Sequence, residues 1–190
     1  MTMKTPQARG PVARMYSGLA CRQGGKPGTQ QERTGHMWIW WDDISGVKEY
    51  RGYWPNAEGI DDRTALENPS RLSEYLRHRG VPGEIRRDRA AQVLTEHFPN
   101  RVFKRSWDIA ERKLTALAYK SFIQKRSSHR QDGQYGYQIS GCDNCVSWVV
   151  KCINETVGDA YTIRPFSPPN IETAAKIIFG KTCSQEQQGR

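Results

Sequence analysis

Tyr137-Gln138-Ile139-Ser140-Gly141-Cys142-Asp143-Asn144-Cys145-Val146-Ser147-Trp148-Val149 is a glycine- and tyrosine-containing loop that runs into an amphipathic helix. Asp143 or Asn144 supplies the N-cap. Val146, Val149, Val150, Ile153 and Val157 recur at helical spacing as a buried stripe, and Gly158 ends the helix. Cys145 therefore falls in the first turn, where the dipole and the unpaired N–H groups favour thiolate over thiol. The N–H of Cys145 itself is placed to serve an oxyanion.

Outward from this helix, the upstream half of the chain supplies a sheet. Gly35-His36-Met37-Trp38-Ile39-Trp40-Trp41 is a dense aromatic strand, Asp42-Asp43-Ile44-Ser45-Gly46 a turn, and Val47-Lys48-Glu49-Tyr50-Arg51-Gly52-Tyr53-Trp54 the return strand of a hairpin. With Trp41 near Lys48, His36 falls opposite Tyr53. Short strands are expected at Gly83-Glu84-Ile85-Arg86 and Arg101-Val102-Phe103-Lys104-Arg105. A short helix is expected near residues 69–79, with Ser70 as its cap. Asp108 and Glu111 have the spacing of a capping box, and Ala110, Leu114, Leu117, Ala118 and Phe122 continue it as a helix. A weaker helix is expected near residues 171–179. Hairpin, small elements and helices in this order make an α+β plan.

The 190 residues suffice for one well-buried domain. Mean hydropathy is low, at -0.79, yet six Trp, eight Tyr and five Phe are too many for a disordered chain. Residues 1–34, rich in Gly, Gln, Pro and Arg, read as a flexible basic arm with a short ordered piece near residues 12–19. Residues 35–180 read as the single domain and 181–190 as a polar tail. The net charge of +9 is concentrated in the arm and in residues 84–130, a distribution that suits polyanions or simply a solvated basic face. No 18-residue apolar run is present, and the N-terminus lacks the apolar region of a Sec signal peptide. The expectation is synthesis in the cytoplasm, with export left to a specialised secretion system.

Five cysteines, an odd number, argue against a secreted disulfide framework. Four uses are open to Cys142 and Cys145. One is a nucleophile paired with His36. A second is redox chemistry, but Cys142-Asp143-Asn144-Cys145 lacks the preceding strand and βαβ frame of a thioredoxin-like site. A third is zinc, but no second C-x-x-C follows at the usual spacing. The fourth is packing, and for Cys21, Cys152 and Cys183 small buried thiols are the expected role. His78, His97 and His129 stand in polar, arginine-rich contexts and are expected at the surface.

Taken together, Gly35-His36 at a strand start, the return strand ending Tyr50-Arg51-Gly52-Tyr53-Trp54-Pro55, and Tyr137-x-x-x-Gly141-x-x-Asn144-Cys145-x-x-Trp148-Val149 form one pattern. Over residues 35–158 it resembles the circularly permuted papain-like cysteine hydrolases, relatives of the NlpC-type cell-wall peptidases and the lecithin:retinol acyltransferase-like enzymes. Several bacterial toxin and effector domains look similar. The resemblance implies a small antiparallel sheet packed against the helix that carries the nucleophile. It implies Cys145 as nucleophile, His36 as its base, and no metal or cofactor. A third group that orients His36 is usual; Tyr53 is its expected neighbour and Glu49 the acid on the return strand. Cys142 is extra to the pattern.

What the resemblance implies for function is a hydrolase or acyl-transfer enzyme working through a thioester. Its substrate would be a peptidoglycan amide or, alternatively, an acyl lipid. An antibacterial effector of this kind would have an immunity protein that covers its cleft. The rival from another class is a non-catalytic basic module for nucleic acid or anionic membrane, for which no recognition motif is present.

Overall fold

The computed structural model of the protein describes residues 12–21, 35–42, 45–55, 83–123, 137, 144–158, 161 and 171–183. Strands β1 (Val12–Ala20), β2 (His36–Asp42), β3 (Lys48–Pro55) and β4 (Gly83–Arg87) precede helix α1 (Arg89–His97). Strand β5 (Phe103–Ala110) leads directly into α2 (Glu111–Ile123). Helix α3 (Cys145–Ile153) widens into a π-helical turn (Asn154–Gly158), and α4 (Ile171–Ala174) into another (Ala175–Phe179). The class is α+β, built on an open antiparallel sheet in the order β4-β3-β2-β1-β5.

The central strand β2 is buried on both faces, which explains why it reads as a continuous apolar run. Met37, Ile39 and Trp41 turn toward α3 and join Val146, Val149 and Ile153 in the larger core. Trp38 and Trp40 turn the other way, toward Ala91 and Leu94 of α1. The indole N–H of Trp38 donates to Thr95 Oγ1 at 3.2 Å, and that hydroxyl donates to Ala91 O at 2.7 Å. The buried polar edge of Trp38 is thus satisfied inside the smaller core. Gly18 lies opposite Trp38, and a Cβ there would strike the indole. Trp38→Ala would remove the centre of this layer, at a cost of about 3–5 kcal/mol.

Four expectations change. The ordered piece expected near residues 12–19 of the arm is β1, and what changes is its place: it is an interior strand hydrogen-bonded to both β2 and β5, not an appendage outside the domain. The hairpin register is one residue further on, with Trp41 opposite Glu49 and Asp42 opposite Lys48, so the pairing continues toward His36 and Trp54 rather than Tyr53. Asp108 does not cap a helix. It lies within β5 and accepts from Arg14 Nε at 2.9 Å across the strand pair, while the helix begins at Glu111. Finally, Cys21 and Cys183 are not separate packed thiols. They form a disulfide with a Cα–Cα distance of 5.4 Å, joining the end of β1 to the chain just after α4.

Helix α1 has no counterpart among the expectations, and the helix expected near residues 69–79 lies outside the described residues, as does Cys142. Among the described residues, no helix is long and apolar enough to cross a membrane.

Candidate active site

Asn144 fixes the start of α3. Its Oδ1 accepts from the N–H groups of Val146 (3.0 Å) and Ser147 (3.1 Å), and Ser147 Oγ accepts from the Asn144 N–H at 2.8 Å. This reciprocal cap places Cys145 at the first helical position and uses the two N–H groups that follow it. The apolar stripe then presses α3 against β2 and β3, which brings Cys145 beside the start of β2.

His36 is the first residue of β2, paired with Ala20 at the end of β1. Its ring is almost fully buried, stacked toward Trp38 and covered by Trp54, whose ring centre lies 4.1 Å away. The structure brings His36 and Cys145 close enough for each to shift the proton affinity of the other, joining the two residues singled out from the sequence.

The third group is Asp88, which sequence reasoning missed. Its Oδ2 accepts from His36 Nε2 at 2.7 Å and from the Trp54 indole N–H at 2.9 Å, while its Oδ1 accepts from the Ala91 N–H at 2.9 Å. Asp88 is therefore the N-cap of α1 and the partner of His36 at once. With Nε2 committed to Asp88, Nδ1 is the ring nitrogen left for another partner. Tyr53 and Glu49 do not orient His36. Tyr53 belongs to the larger core beside Tyr137 and Trp148, and Glu49 pairs with Arg51 at 3.4 Å.

Gly52 makes this arrangement possible. A Cβ on Gly52 would collide with Asp88 Oδ2 and with the Trp54 indole nitrogen, and would crowd His36 Nε2. The sequence signal for Asp88 was faint, since Arg86-Arg87-Asp88-Arg89 reads as a solvated charge run. An isolated glycine inside a strand was the better clue, because it often marks a close approach by another group.

The electrostatics follow from burial and pairing. Burial alone would lower the His36 pKa, but bonding to Asp88 and Cys145 and their negative charges raise it to about 9. Burial would raise that of Cys145, yet the His36 bond and charge, the Met37 N–H and the Tyr137 hydroxyl bring it below the usual thiol range. Asp88 follows the same logic. Burial pushes its carboxyl up, and His36, the Ala91 N–H and Trp54 hold it below its ordinary value. The state favoured between the depressed thiol and the raised imidazole is a thiolate–imidazolium pair backed by a carboxylate.

Tyr137 completes the surroundings. It lies close enough to Cys145 for the thiol and the Cys145 N–H to act on its hydroxyl, and burial together with the thiol's negative charge keeps the phenol protonated. Its ring packs on Tyr53 at 5.1 Å. Cys152 is a buried thiol in the apolar flank of α3, as expected, and His97 is exposed. His78 and His129 lie outside the described residues.

No family model matches the sequence, no curated protein matches it, and no solved structure matches the fold.

Proposed function

We propose that the protein is a cysteine hydrolase that cleaves amide bonds through a thioester, with Cys145 as nucleophile, His36 as acid and base, and Asp88 as the residue that positions His36. The observation that carries this reading is a buried His36 bonded through Nε2 to a buried carboxylate and close enough to the Cys145 thiol for the two to shift one another's proton affinity. A nucleophile, a base and an orienting group in sequence are what acyl transfer requires. The order of histidine strand before cysteine helix supports a permuted papain-like arrangement.

In the proposed reaction the Cys145 thiolate attacks the carbonyl carbon. The oxyanion that forms accepts hydrogen bonds from the Cys145 N–H and the Tyr137 hydroxyl, which interact with each other in the free protein. The tetrahedral intermediate collapses as the C–N bond breaks, and the imidazolium of His36 gives its proton to the departing amine. Neutral His36 then takes a proton from water, the hydroxide attacks the thioester carbon, and the C–S bond breaks to release the carboxylic acid product. Asp88 keeps Nε2 as the anchored nitrogen throughout, so that Nδ1 stays available for each transfer.

The substrate class we favour is the peptide of peptidoglycan, with the protein acting as an exported antibacterial effector. The Cys21–Cys183 disulfide supports work in an oxidising compartment. Incubating the protein with isolated sacculi, and separately with phospholipid vesicles, tests reaction and substrate together by mass spectrometry of the products. New amide-cleaved wall peptides that vanish with Cys145→Ala are expected. Lipid deacylation instead would reassign the substrate, and cleavage that survives Cys145→Ala would end the hydrolase reading.

A further inference from the structure

Arg86 stands directly opposite Gly52 in the β3–β4 pair. Residues opposed in an antiparallel pair share one face of the sheet. Arg86 is therefore on the face where His36 and Asp88 meet over the space left by Gly52. Its guanidinium carbon lies 4.9 Å from the centre of the Trp54 ring, and that ring is 4.1 Å from the His36 ring. The two contacts bound the separation of guanidinium and imidazole at about 9 Å.

Arg86 has no part in holding Asp88, whose two oxygens are occupied by His36, Trp54 and the Ala91 N–H. One of its terminal nitrogens contacts Glu84 Oε1 at 3.2 Å, and the side chain is half exposed. An exposed pair of that kind binds weakly, and a fork of five N–H donors has capacity beyond one such contact. The contact with the indole restrains the guanidinium, which limits the freedom lost when a carboxylate docks.

We infer that Arg86 receives a carboxylate on the substrate, so that the site takes acidic peptides in preference to neutral ones. This rests on the hydrolase reading of Cys145. The carboxylate would sit on a residue flanking the scissile amide, since one extended residue spans roughly 3.3 Å and an acidic side chain adds reach. Recognition would be bidentate, with the second arm competing against Glu84.

Matched peptide acyloxymethyl ketones test it, carrying Glu or Gln at the first, second or third residue from the reactive group. The Cys145 thiolate forms a thioether with each as the acyloxy group leaves as a carboxylate, and mass spectrometry reports the rate at Cys145. In the wild type one Glu probe is expected to react about tenfold faster than its Gln twin. Arg86→Gln should erase that preference while leaving the Gln probes unchanged. Equal rates for every pair, or a preference for Glu that survives Arg86→Gln, would overturn the inference and leave the hydrolase reading standing. Absence of label at Cys145 with all probes would instead overturn that reading and this inference with it.

Discussion

Asp88 Oδ2 and His36 Nε2 lie 2.7 Å apart in the space that a side chain at position 52 would fill. A carboxylate that caps α1 thereby reaches across β3 to a histidine on β2. The two strands of one hairpin and a helix further along the chain are locked to one another by the absence of a Cβ. The same carboxylate oxygen takes the Trp54 indole N–H, so the roof over His36 is tied to the group that orients it.

Gly52→Ala should separate the pair without unfolding the sheet. The new methyl must displace Asp88 or His36, and a shift of about 1 Å in a reacting group costs on the order of a hundredfold in rate. Alkylation of Cys145 at neutral pH and hydrolysis of wall peptides should both fall by roughly that factor. Far-ultraviolet circular dichroism should stay close to wild type.

Asp88→Asn separates the two duties of this residue. Asparagine caps helices about as well as aspartate, so α1 should keep its stability to within about 1 kcal/mol. The charge that raises the His36 pKa is lost, and the imidazolium is no longer favoured. Hydrolysis should fall by about 10²–10⁴-fold, and the pH profile of Cys145 alkylation should move upward.

The pH dependence of stability separates the two shifted groups. His36 is raised from 6.5 to about 9, so its contribution is fully present below about 6.5 and is lost as the pH climbs through 9. Cys145 is depressed from 9.0, so its contribution is present above that value and is lost as the pH falls through the folded-state value. Where both shifts operate they oppose, because the folded protein keeps on His36 the proton it gives up from Cys145. Wild-type melting temperature should therefore change little through this pair over the range, up to about pH 9, in which both shifts operate. Cys145→Ala removes this compensation together with the thiol's share of the His36 shift, so the fall in melting temperature that remains above pH 6.5 reports the Asp88 pairing alone. Thermal melts across that range check both.

Reduction of Cys21–Cys183 should lower stability. The bridge joins residues 162 apart, and closing a long loop restricts the unfolded chain, an effect of about 2–5 kcal/mol. Cys21→Ser should match the reduced wild type in denaturant melts. The loss should be felt near the site, because Ala20, the residue before Cys21, pairs with His36.

The sequence carried the helix of Cys145 and the strand of His36 plainly, because each combines a strong periodic pattern with a clear start signal. Asn144 followed by a valine stripe, and an unbroken run from His36 to Trp41, have few other readings. The pairing of these two residues came through family likeness and strand order. Strand β1 was legible only as an ordered piece near residues 12–19, because Arg14, Ser17 and Gly18 interrupt its alternation and nothing local shows that it enters the middle of the sheet. Asp88 was illegible for a different reason. Its three arginine neighbours, Arg86, Arg87 and Arg89, are exposed, and only the folded sheet reveals that the one acid among them turns inward. Disulfide pairing between Cys21 and Cys183 depends on the return of the chain after α4 to the end of β1, which no local pattern encodes.

The thiolate–imidazolium pair can be read from the pH dependence of iodoacetamide alkylation at Cys145, followed by mass spectrometry in the wild type, His36→Ala and Asp88→Asn. In the wild type the rate should rise at a pH below the ordinary thiol value, and the two variants should shift the rise toward that value near 9. A wild-type profile that rises only near 9, or one that His36→Ala leaves unmoved, would contradict a catalytic pair built from these residues.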